Sequence, residues 1–311
     1  LPVYAAYLLD EVIKINKNTE IISMRSHLPI KDVDKILMNK IYWVKNKNLC
    51  WSELGIEIPD IFFQAGWYKK SFSSLGNQVK ENGGKVVLLS DNQYLDNFRQ
   101  KLGSLIYKIK YLNHFDAVWV PGNSAVKLMK SYGVNKKNIY KGLYASNNNI
   151  YNKGLKLSKR EKLFLYVGNL YEKKGFIDLL NSYKLFSIKN PDWKLIIVGN
   201  GPLRNLIPKI DSIKYFKFST PKEISNLMKA SRFLINPAHE DHWPLVVNEA
   251  SLCGCGLILS NNVGNIDELS NYKNSIIFKN SSPKHLFDAL TKASQLDGLK
   301  LDIMFKESLK L

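Results

Sequence analysis

The residues most suited to chemistry lie in the segment NPAHEDHWPLVVNEASLCGCG, residues 236–256. An apolar run ends at about Ala238. A helix is predicted to begin at Pro244, since proline fits the first helical position, where its missing N–H would have no intrahelical partner. The N–H groups of Leu245 and Val246 follow at the positive end of this helix. This pattern predicts an anion site that suits a diphosphate.

Two carboxylates flank the predicted helix start. Asp241 lies just before the helix and Glu249 lies on its second turn, and the helix is predicted to stop at Gly254. At about 1.5 Å of rise per residue, Glu249 lies roughly 7–8 Å into the helix. One carboxylate can therefore reach a sugar while the other reaches a ribose across the diphosphate. His242, in the same loop, is either a solvated residue or a contact to phosphate or sugar.

Two other loops carry residue types that suit phosphate and nucleotide binding. One loop follows a predicted strand and carries Lys173 and Lys174 ahead of a predicted helix. Taken alone, these two lysines are ordinary surface charges. The other loop carries Gly199 and Gly201, which would let a ligand approach the backbone closely.

Short apolar runs alternate along the chain with amphipathic stretches of helical period. Such runs suit parallel strands that are covered on both faces. The order of strands and helices predicts parallel sheets with right-handed crossovers, and hence an α/β chain. The predicted strands are 56–66, 84–92, 115–122, 162–169, 193–201, 233–238 and 256–261. The predicted helices are 94–112, 123–132, 175–189, 224–231 and 244–253, with one more in the opening LPVYAAYLLDEVIK.

An Asn- and Lys-rich segment, residues 145–162, has little apolar periodicity and is interpreted as a linker between two domains. We place an N-terminal domain at 1–154 and a C-terminal domain at 155–311. Ligands of open α/β sheets bind at the carboxyl ends of the strands, so in a two-domain arrangement these ends would face each other across a cleft. A strand would normally precede the first helix of an α/β domain, and we expect that strand to be missing here.

The segment after Glu240 carries a family resemblance. The pattern D-x-W-x-x-V-V-N-E-A followed by C-G-x-G resembles the signature of the family-four retaining glycosyltransferases, which have the GT-B fold. The resemblance implies an α/β architecture of two Rossmann-like domains whose parallel sheets face a central cleft. It implies that Glu249 binds the nucleotide ribose hydroxyls. It also implies that Asp241 contacts the donor sugar or its reacting centre, with Glu240 as a competing candidate.

The lysine loop resembles the G-R-L-x-x-x-K-G element of that family, whose Arg and Lys clamp the donor diphosphate. Gly168 and Lys174 match this element, while Asn169 stands where Arg is common. Lys173 is a candidate to replace the missing cation. Cations stabilise the charge that builds on the β-phosphate as the glycosidic bond breaks, which would let the reaction proceed without a metal.

Three further positions follow from the same resemblance. The glycine pair described above matches a G-x-G-P element that lies beside the nucleotide. VGNIDEL resembles an element that ends in Glu-Leu, which implies that Glu268 lines the donor pocket, and Trp243 belongs to the main signature. The family usually has Gly where this chain has Pro244, which removes one backbone donor from the phosphate contact.

The N-terminal half matches less specifically. The elements QAGW, SDNQ, DAVWVPG and KGLYAS resemble a subgroup that occurs in surface-polysaccharide assembly. Asp91 and Asn92 fall at a predicted strand end, where they either touch acceptor or donor sugar or serve as turn residues. The resemblance implies retaining transfer of a hexosyl-type group from a nucleoside-diphosphate sugar to the hydroxyl of a sugar or lipid-linked acceptor, in bacterial surface polysaccharide or glycolipid synthesis.

The chain is strongly basic, with a formal net charge of +18. This charge favours anionic partners, although a compositional bias towards Lys and Asn explains it equally well. The segment 94–112 combines apolar residues at helical spacing with Arg99, Lys101, Lys108 and Lys110. It is either a helix for an anionic membrane surface or a helix packed on its sheet with a solvated basic face. No apolar stretch reaches the ~18–20 residues that span a bilayer.

The three cysteines, Cys50, Cys253 and Cys255, are too few for a disulfide framework and suggest a reducing compartment. Two thiols without a second Cys or His pair do not complete a tetrahedral metal site, so structural packing is the expected role of Cys253 and Cys255. We therefore predict a cytoplasmic protein, with the inner membrane face as a possible site of attachment. We predict no metal and no cofactor, with the nucleoside-diphosphate sugar as the donor substrate.

Three competing functions remain open at this point. A nucleotide-sugar epimerase-like enzyme on the same fold would act on the donor without an acceptor. The basic charge fits a nucleic-acid-binding protein, although the sequence contains no recognisable motif for one. An inactive binding subunit is suggested by Asn169 and Pro244, the two departures from the diphosphate clamp.

Overall fold

The structure is a computed structural model that divides into two compact units, Leu1–Ala145 and Ser146–Leu311. The division lies before the predicted domain boundary at 154/155, because the segment interpreted as a linker packs into the second unit. The residues that the structure describes are 3–16, 18–25, 41–43, 50–68 and 70–310.

The first unit contains a four-stranded parallel sheet in the order β3-β4-β5-β6 and a separate parallel pair, β1 with β2. Its strands are β1 (Ser23–Arg25), β2 (Ile41–Trp43), β3 (Ile61–Ala65), β4 (Lys85–Leu89), β5 (Ala117–Val120) and β6 (Ile139–Lys141). Its helices are α1 (Val3–Ile15), α2 (Lys70–Glu81), α3 (Phe98–Lys110) and α4 (Asn123–Ser131).

The core of the first unit forms on one face of its sheet at β3. Phe62 and Gln64 are buried, while Ile61 and Phe63 are about half exposed. The apolar run of β3 was expected to be covered on both faces, and this expectation is wrong within the part of the chain that the structure describes. The period-2 alternation typical of a half-exposed strand is present in β3.

The second unit is built on a six-stranded, all-parallel sheet in the order β12-β11-β10-β7-β8-β9. Its strands are β7 (Glu161–Val167), β8 (Lys194–Val198), β9 (Ile213–Phe216), β10 (Ser231–Asn236), β11 (Gly256–Ser260) and β12 (Ser275–Phe278). Its helices are α5 (Phe176–Lys189), α6 (Pro221–Ala230), α7 (Leu245–Leu252), α8 (Ile266–Leu269), α9 (Pro283–Ser294) and α10 (Gly298–Ser308).

The central strands of this second sheet are covered on both faces, as their continuous apolar runs predict. Every residue of β11 is buried, and β7, β8 and β10 are buried over most of their length. One face packs against α5 and α9 through an aromatic cluster that includes Phe164 stacked on Trp193. The other face packs against α6 and α7. Burial of such runs supplies the main driving force for this fold.

The segment 145–162 packs into the second unit and is not an open linker. Tyr151 and Leu157 are buried in the two cores of that unit. The guanidinium of Arg160, which is 5% exposed, donates hydrogen bonds to the backbone carbonyls of Leu155, Met228, Ser231 and Cys253 at 2.6–3.0 Å. Three of these carbonyls lie at the carboxyl ends of α6 and α7, where a cation is favoured by the helix dipoles.

Within the described residues, no helix is both long enough and apolar enough to cross a membrane. The predicted helix at the chain start is α1, and Gly254, with φ +73°, follows α7 as the expected stop.

Replacing Arg160 by Met should lower the free energy of unfolding by at least about 3 kcal/mol, because buried carbonyls lose their donors. Urea unfolding followed by circular dichroism measures the change. Lys156→Met removes a charge from an exposed side chain nearby and is the matched control. Equal stability of the two variants would show that the carbonyls find other donors.

Candidate active site

The candidate site lies at the carboxyl edge of the six-stranded sheet. Three adjacent strands, β10, β7 and β8, end there, and the loops that follow them are therefore neighbours. Together these loops carry the lysines, the glycine pair and the acidic residues that the sequence singles out. These segments are far apart along the chain, and the parallel pairing of the strands brings them together.

The backbones of these loops approach each other so closely that side chains are excluded. A Cβ on Gly199 would lie 1.8 Å from the carbonyl oxygen of Gly168, and one on Gly201 would lie 2.5 Å from that of Leu170. Gly199 and Gly201 were expected to make room for a ligand. The structure adds a separate requirement for glycine at both positions, because the backbone of the neighbouring loop lies where a Cβ would be.

A second close approach joins the lysine loop to the acidic loop. Gly175 has φ +66°, and a Cβ there would lie 1.9 Å from the carbonyl oxygen of Pro237. The N–H of His239 donates to the carbonyl of Lys173 at 2.9 Å. The register between the two loops is therefore fixed by backbone contacts that involve no charged side chain.

Lys174 and Asp241, both singled out by the sequence, are brought into direct contact. The Lys174 Nζ lies 2.7 Å from Asp241 Oδ2, and the two side chains are 23% and 17% exposed. A pair that is mostly removed from water is screened less than a surface pair, so the attraction is substantial. The Asp241 backbone is also fixed, since its carbonyl accepts from the N–H of Gly264 at 2.8 Å.

His239 and Asp178 form a second side-chain contact, which the sequence analysis missed. His239 Nε2 lies 2.8 Å from Asp178 Oδ2, at the start of α5. The carbonyl of His239 accepts from Asn262 Nδ2 at 2.9 Å. His239 is thus held through its ring, its N–H and its carbonyl, and it fixes the loop that carries Asp241. The sequence gives only the type of His239 beside the acidic pair, and its partner is 61 residues away.

The helix that follows the acidic loop begins one residue later than predicted. Pro244 is the N-cap and α7 starts at Leu245, because Pro244 has extended backbone angles. The Pro244 carbonyl accepts from the N–H of Val247 at 3.0 Å and from Asn265 Nδ2 at 3.0 Å. The N–H groups of Leu245 and Val246 come before the first intrahelical donor, as the anion-site prediction requires.

Glu249 lies on α7 in a desolvated position. Burial raises the pKa of its carboxyl from 4.5 to about 7, and a hydrogen bond from the side chain of Tyr151 acts in the opposite direction. Near neutral pH, a carboxyl with this pKa takes up a proton or accepts a hydrogen bond at little cost in free energy.

The other predicted positions around this edge differ in exposure. Glu240 Oε1 lies 3.3 Å from His242 Nε2, and the indole N–H of Trp243 is buried with no acceptor in the described part of the chain. Asn169 and Lys173 have exposed side chains, while Gly168 and Glu268 are partly buried. Asp91 belongs to the first unit, where its carboxylate accepts a hydrogen bond from the Tyr144 hydroxyl at 2.9 Å.

Metal-ligating side chains do not cluster in the residues that the structure describes: no group of three or more His, Cys, Asp or Glu side chains there could hold an ion. Cys253 and Cys255 are buried, and burial raises the pKa of the Cys255 thiol to about 12. Cys255 Sγ donates to the carbonyl of Met228 at 3.1 Å. Both thiols lie in the core that packs against α6 and α7.

Comparison with known proteins identifies one family and two relatives. The family described as glycosyl transferases group 1 matches residues 147–308. An uncharacterized glycosyltransferase of Haemophilus influenzae is 33% identical over 124 residues, which are 38% of this chain and 35% of that protein. Another, from Methanocaldococcus jannaschii, is 28% identical over 214 residues, which are 66% of this chain and 45% of that protein. The chain thus matches less than half the length of each relative.

Solved structures extend the likeness to almost the whole chain. The Anabaena protein HepE in complex with UDP has a TM-score of 0.76 at 12% identity, covering 98% of this chain and 90% of its own. A glycosyltransferase from Rickettsia africae has a TM-score of 0.75 at 15% identity, covering 98% and 88%. At these identities the likeness establishes the fold, and the predicted α/β, GT-B-type fold with two parallel sheets is confirmed. Because the family match covers more than half of the chain, this protein belongs to the glycosyl transferases group 1.

Proposed function

We propose that this chain transfers a hexosyl-type group from a nucleoside-diphosphate sugar to an acceptor hydroxyl, with retention at the anomeric carbon. The observation that carries the proposal is the meeting of Lys174 with Asp241 just before the start of α7. A cation, a carboxylate and free helix amides are the groups that a nucleotide-sugar needs at its diphosphate and sugar. HepE, which shares the fold, was solved with UDP and with UDP-glucose.

The diphosphate is held by Lys174 and by the N–H groups of Leu245 and Val246 in this proposal. Lys173, which is exposed, supplies a second cation where the family has Arg and this chain has Asn169. As the glycosidic bond breaks, these groups stabilise the charge that gathers on the β-phosphate. No metal is needed for that step.

The two carboxylates divide the remaining work. Glu249 accepts hydrogen bonds from the ribose hydroxyls, and Asp241 contacts the donor sugar or stabilises its reacting centre. Glu240, which is more exposed and pairs with His242, is the competing candidate for the sugar side. Other groups that line the donor site are Gly168, Gly199, Gly201, His242, Trp243 and Glu268.

The acceptor is a sugar or a lipid-linked sugar in the synthesis of a bacterial surface polysaccharide or glycolipid, and Asp91 of the first unit takes part in binding it. The enzyme works in the cytoplasm, at the inner face of the membrane. In support, Cys50, Cys253 and Cys255 are all free thiols, as in proteins of reducing compartments. The nucleotide-sugar is the donor substrate, and no further cofactor takes part.

Calorimetry with UDP, GDP and ADP tests the donor site. One of the three should bind with a Kd in the micromolar range, and Lys174→Met should weaken it at least tenfold, since a charge-assisted contact to phosphate is lost. Lys184→Met, at an exposed position on α5, is the matched control. Absence of binding by all three nucleotides would refute the proposed function.

Glu249 should make nucleotide binding pH-dependent. Ribose hydroxyls donate to the ionised carboxylate, whose pKa is about 7 in the free protein, so binding releases a proton and affinity rises from pH 6 to pH 8. At one unit below the pKa the loss is about tenfold. Glu249→Gln should bind more weakly at pH 8 and lose this part of the pH dependence. The ionisation of the nucleotide phosphate is common to both proteins and cancels in the comparison.

An independent measurement checks the pKa itself. The pKa of this carboxyl is near 4.5 in the unfolded chain and about 7 in the folded chain. Its ionisation therefore lowers the free energy of unfolding as pH rises through that interval. Glu249→Gln should therefore be more stable than the wild type at pH 8 and not at pH 4. A stability difference that is the same at both pH values would show that the carboxyl is not desolvated.

Asp241 should compete with the diphosphate for Lys174. Asp241→Asn removes this charge and frees the Lys174 ammonium. UDP should then bind at least threefold more tightly, while turnover falls. The gain should vanish in a Lys174→Met background, which is the test of coupling between the two residues. Glu240→Gln removes a nearby exposed carboxylate and should leave UDP affinity within twofold. A weaker or unchanged affinity in Asp241→Asn would mean that the pair does not compete with the ligand.

A further inference from the structure

Helix α3 presents an apolar row to solvent. Phe98 and Ile109, near its two ends, are 81% and 74% exposed. The exposed apolar residues of the helix are Phe98, Leu102, Leu105, Ile106 and Ile109, and they follow the spacing i, i+4, i+7, i+8, i+11. At about 100° of rotation per residue they lie within an arc of roughly 100° on one side of the helix. The row is about 16 Å long at 1.5 Å per residue.

This row is not the face by which α3 packs on its own unit. The one fully buried residue of the helix is Tyr107, which lies on the opposite side, roughly 180° from Phe98. Tyr107 stacks on Phe115 and contacts Trp67 edge-on within the core of the unit. The sequence left open whether the apolar residues pack on the sheet, and the structure shows that most of them do not.

Four cations border the row on its two sides. Arg99 and Lys110 lie along one border, and Lys101 and Lys108 lie along the other. All four side chains are exposed, and α3 contains no acidic residue. Asp96, just before the helix, lies 3.6 Å from Lys101 in an exposed pair. Such pairs contribute little, so the border remains positive.

Resting on the proposed function at the inner face of the membrane, we infer that α3 is the docking surface for an anionic phospholipid bilayer. The apolar row enters the region between headgroups and acyl chains, while the Lys and Arg side chains extend sideways to the phosphates. Each cation near an anionic surface strengthens binding roughly fivefold, an effect that falls off within a Debye length. Because cations lie on both borders of the row, the occupant that fits it best is an extended anionic surface that contacts both borders at once.

A second copy of the chain fits this face less well. In a two-fold contact the same patch meets itself, so the basic borders of one α3 would face those of the other. The helix offers no carboxylate to pair with them. Charge complementarity therefore favours the lipid headgroups.

Vesicle flotation at about 0.1 M salt tests the inference. The full chain should float with vesicles of phosphatidylcholine and phosphatidylglycerol, and at least tenfold less with phosphatidylcholine alone. The double variant Phe98→Ser/Ile109→Ser should lose binding tenfold or more, and Lys101→Gln/Lys108→Gln should lose it mainly at low salt, where charge dominates.

Matched controls lie on α5, which also exposes apolar and basic side chains. Leu185→Ser/Ile188→Ser and Lys184→Gln/Lys189→Gln should leave flotation unchanged. Circular dichroism of every variant reports folding, and binding of the nucleotide identified by calorimetry tests the donor site separately. Flotation that survives the α3 changes would overturn the inference. A second outcome would also overturn it: a dimer seen by sedimentation without lipid that dissociates in the Phe98→Ser/Ile109→Ser variant.

Discussion

The candidate site depends on backbone-to-backbone packing between loops at the carboxyl edge of the second sheet. Gly175 lies against Pro237, Gly199 against Gly168, and Gly201 against Leu170. No side chain larger than hydrogen fits at these glycines, so the three loops have one arrangement in which all contacts can form. A shift at the end of β7 would move the loops on both sides of it, because β7 lies between β10 and β8. The charged residues inherit their positions from this backbone frame.

On that frame the polar side chains of the site pair with one another. Lys174 pairs with Asp241, and His239 pairs with Asp178 while its backbone joins the lysine loop and Asn262. A site whose groups are already held in place loses little conformational entropy when a ligand binds. If a diphosphate binds as proposed, it must replace Asp241 as the partner of Lys174. Binding of the diphosphate and release of the Asp241 carboxylate from Lys174 would then occur together.

Prediction from sequence succeeded where the signal is local. The continuous apolar runs gave β7, β8, β10 and β11, and the acidic residues were correctly placed on either side of the start of α7. It missed β1, β2, β6, β9 and β12, which have three or four residues each and are too short to show a period. The segment 145–162 looks polar, yet Tyr151 and Leu157 anchor it in the core. The contact of His239 with Asp178 was out of reach, since tertiary pairing leaves no pattern in one sequence.

Pro244 shows how a departure from a family pattern acquires a physical reason in context. At an N-cap, Ser, Thr, Asp or Asn would place a side-chain oxygen on the helix amides that follow. Pro244 has no such acceptor, and its carbonyl is occupied by Val247 and by Asn265. The loss of its own N–H is therefore offset, because the amides of Leu245 and Val246 have no competing cap. An anion that arrives at α7 meets two donors at the positive end of the helix, with Lys174 in the neighbouring loop.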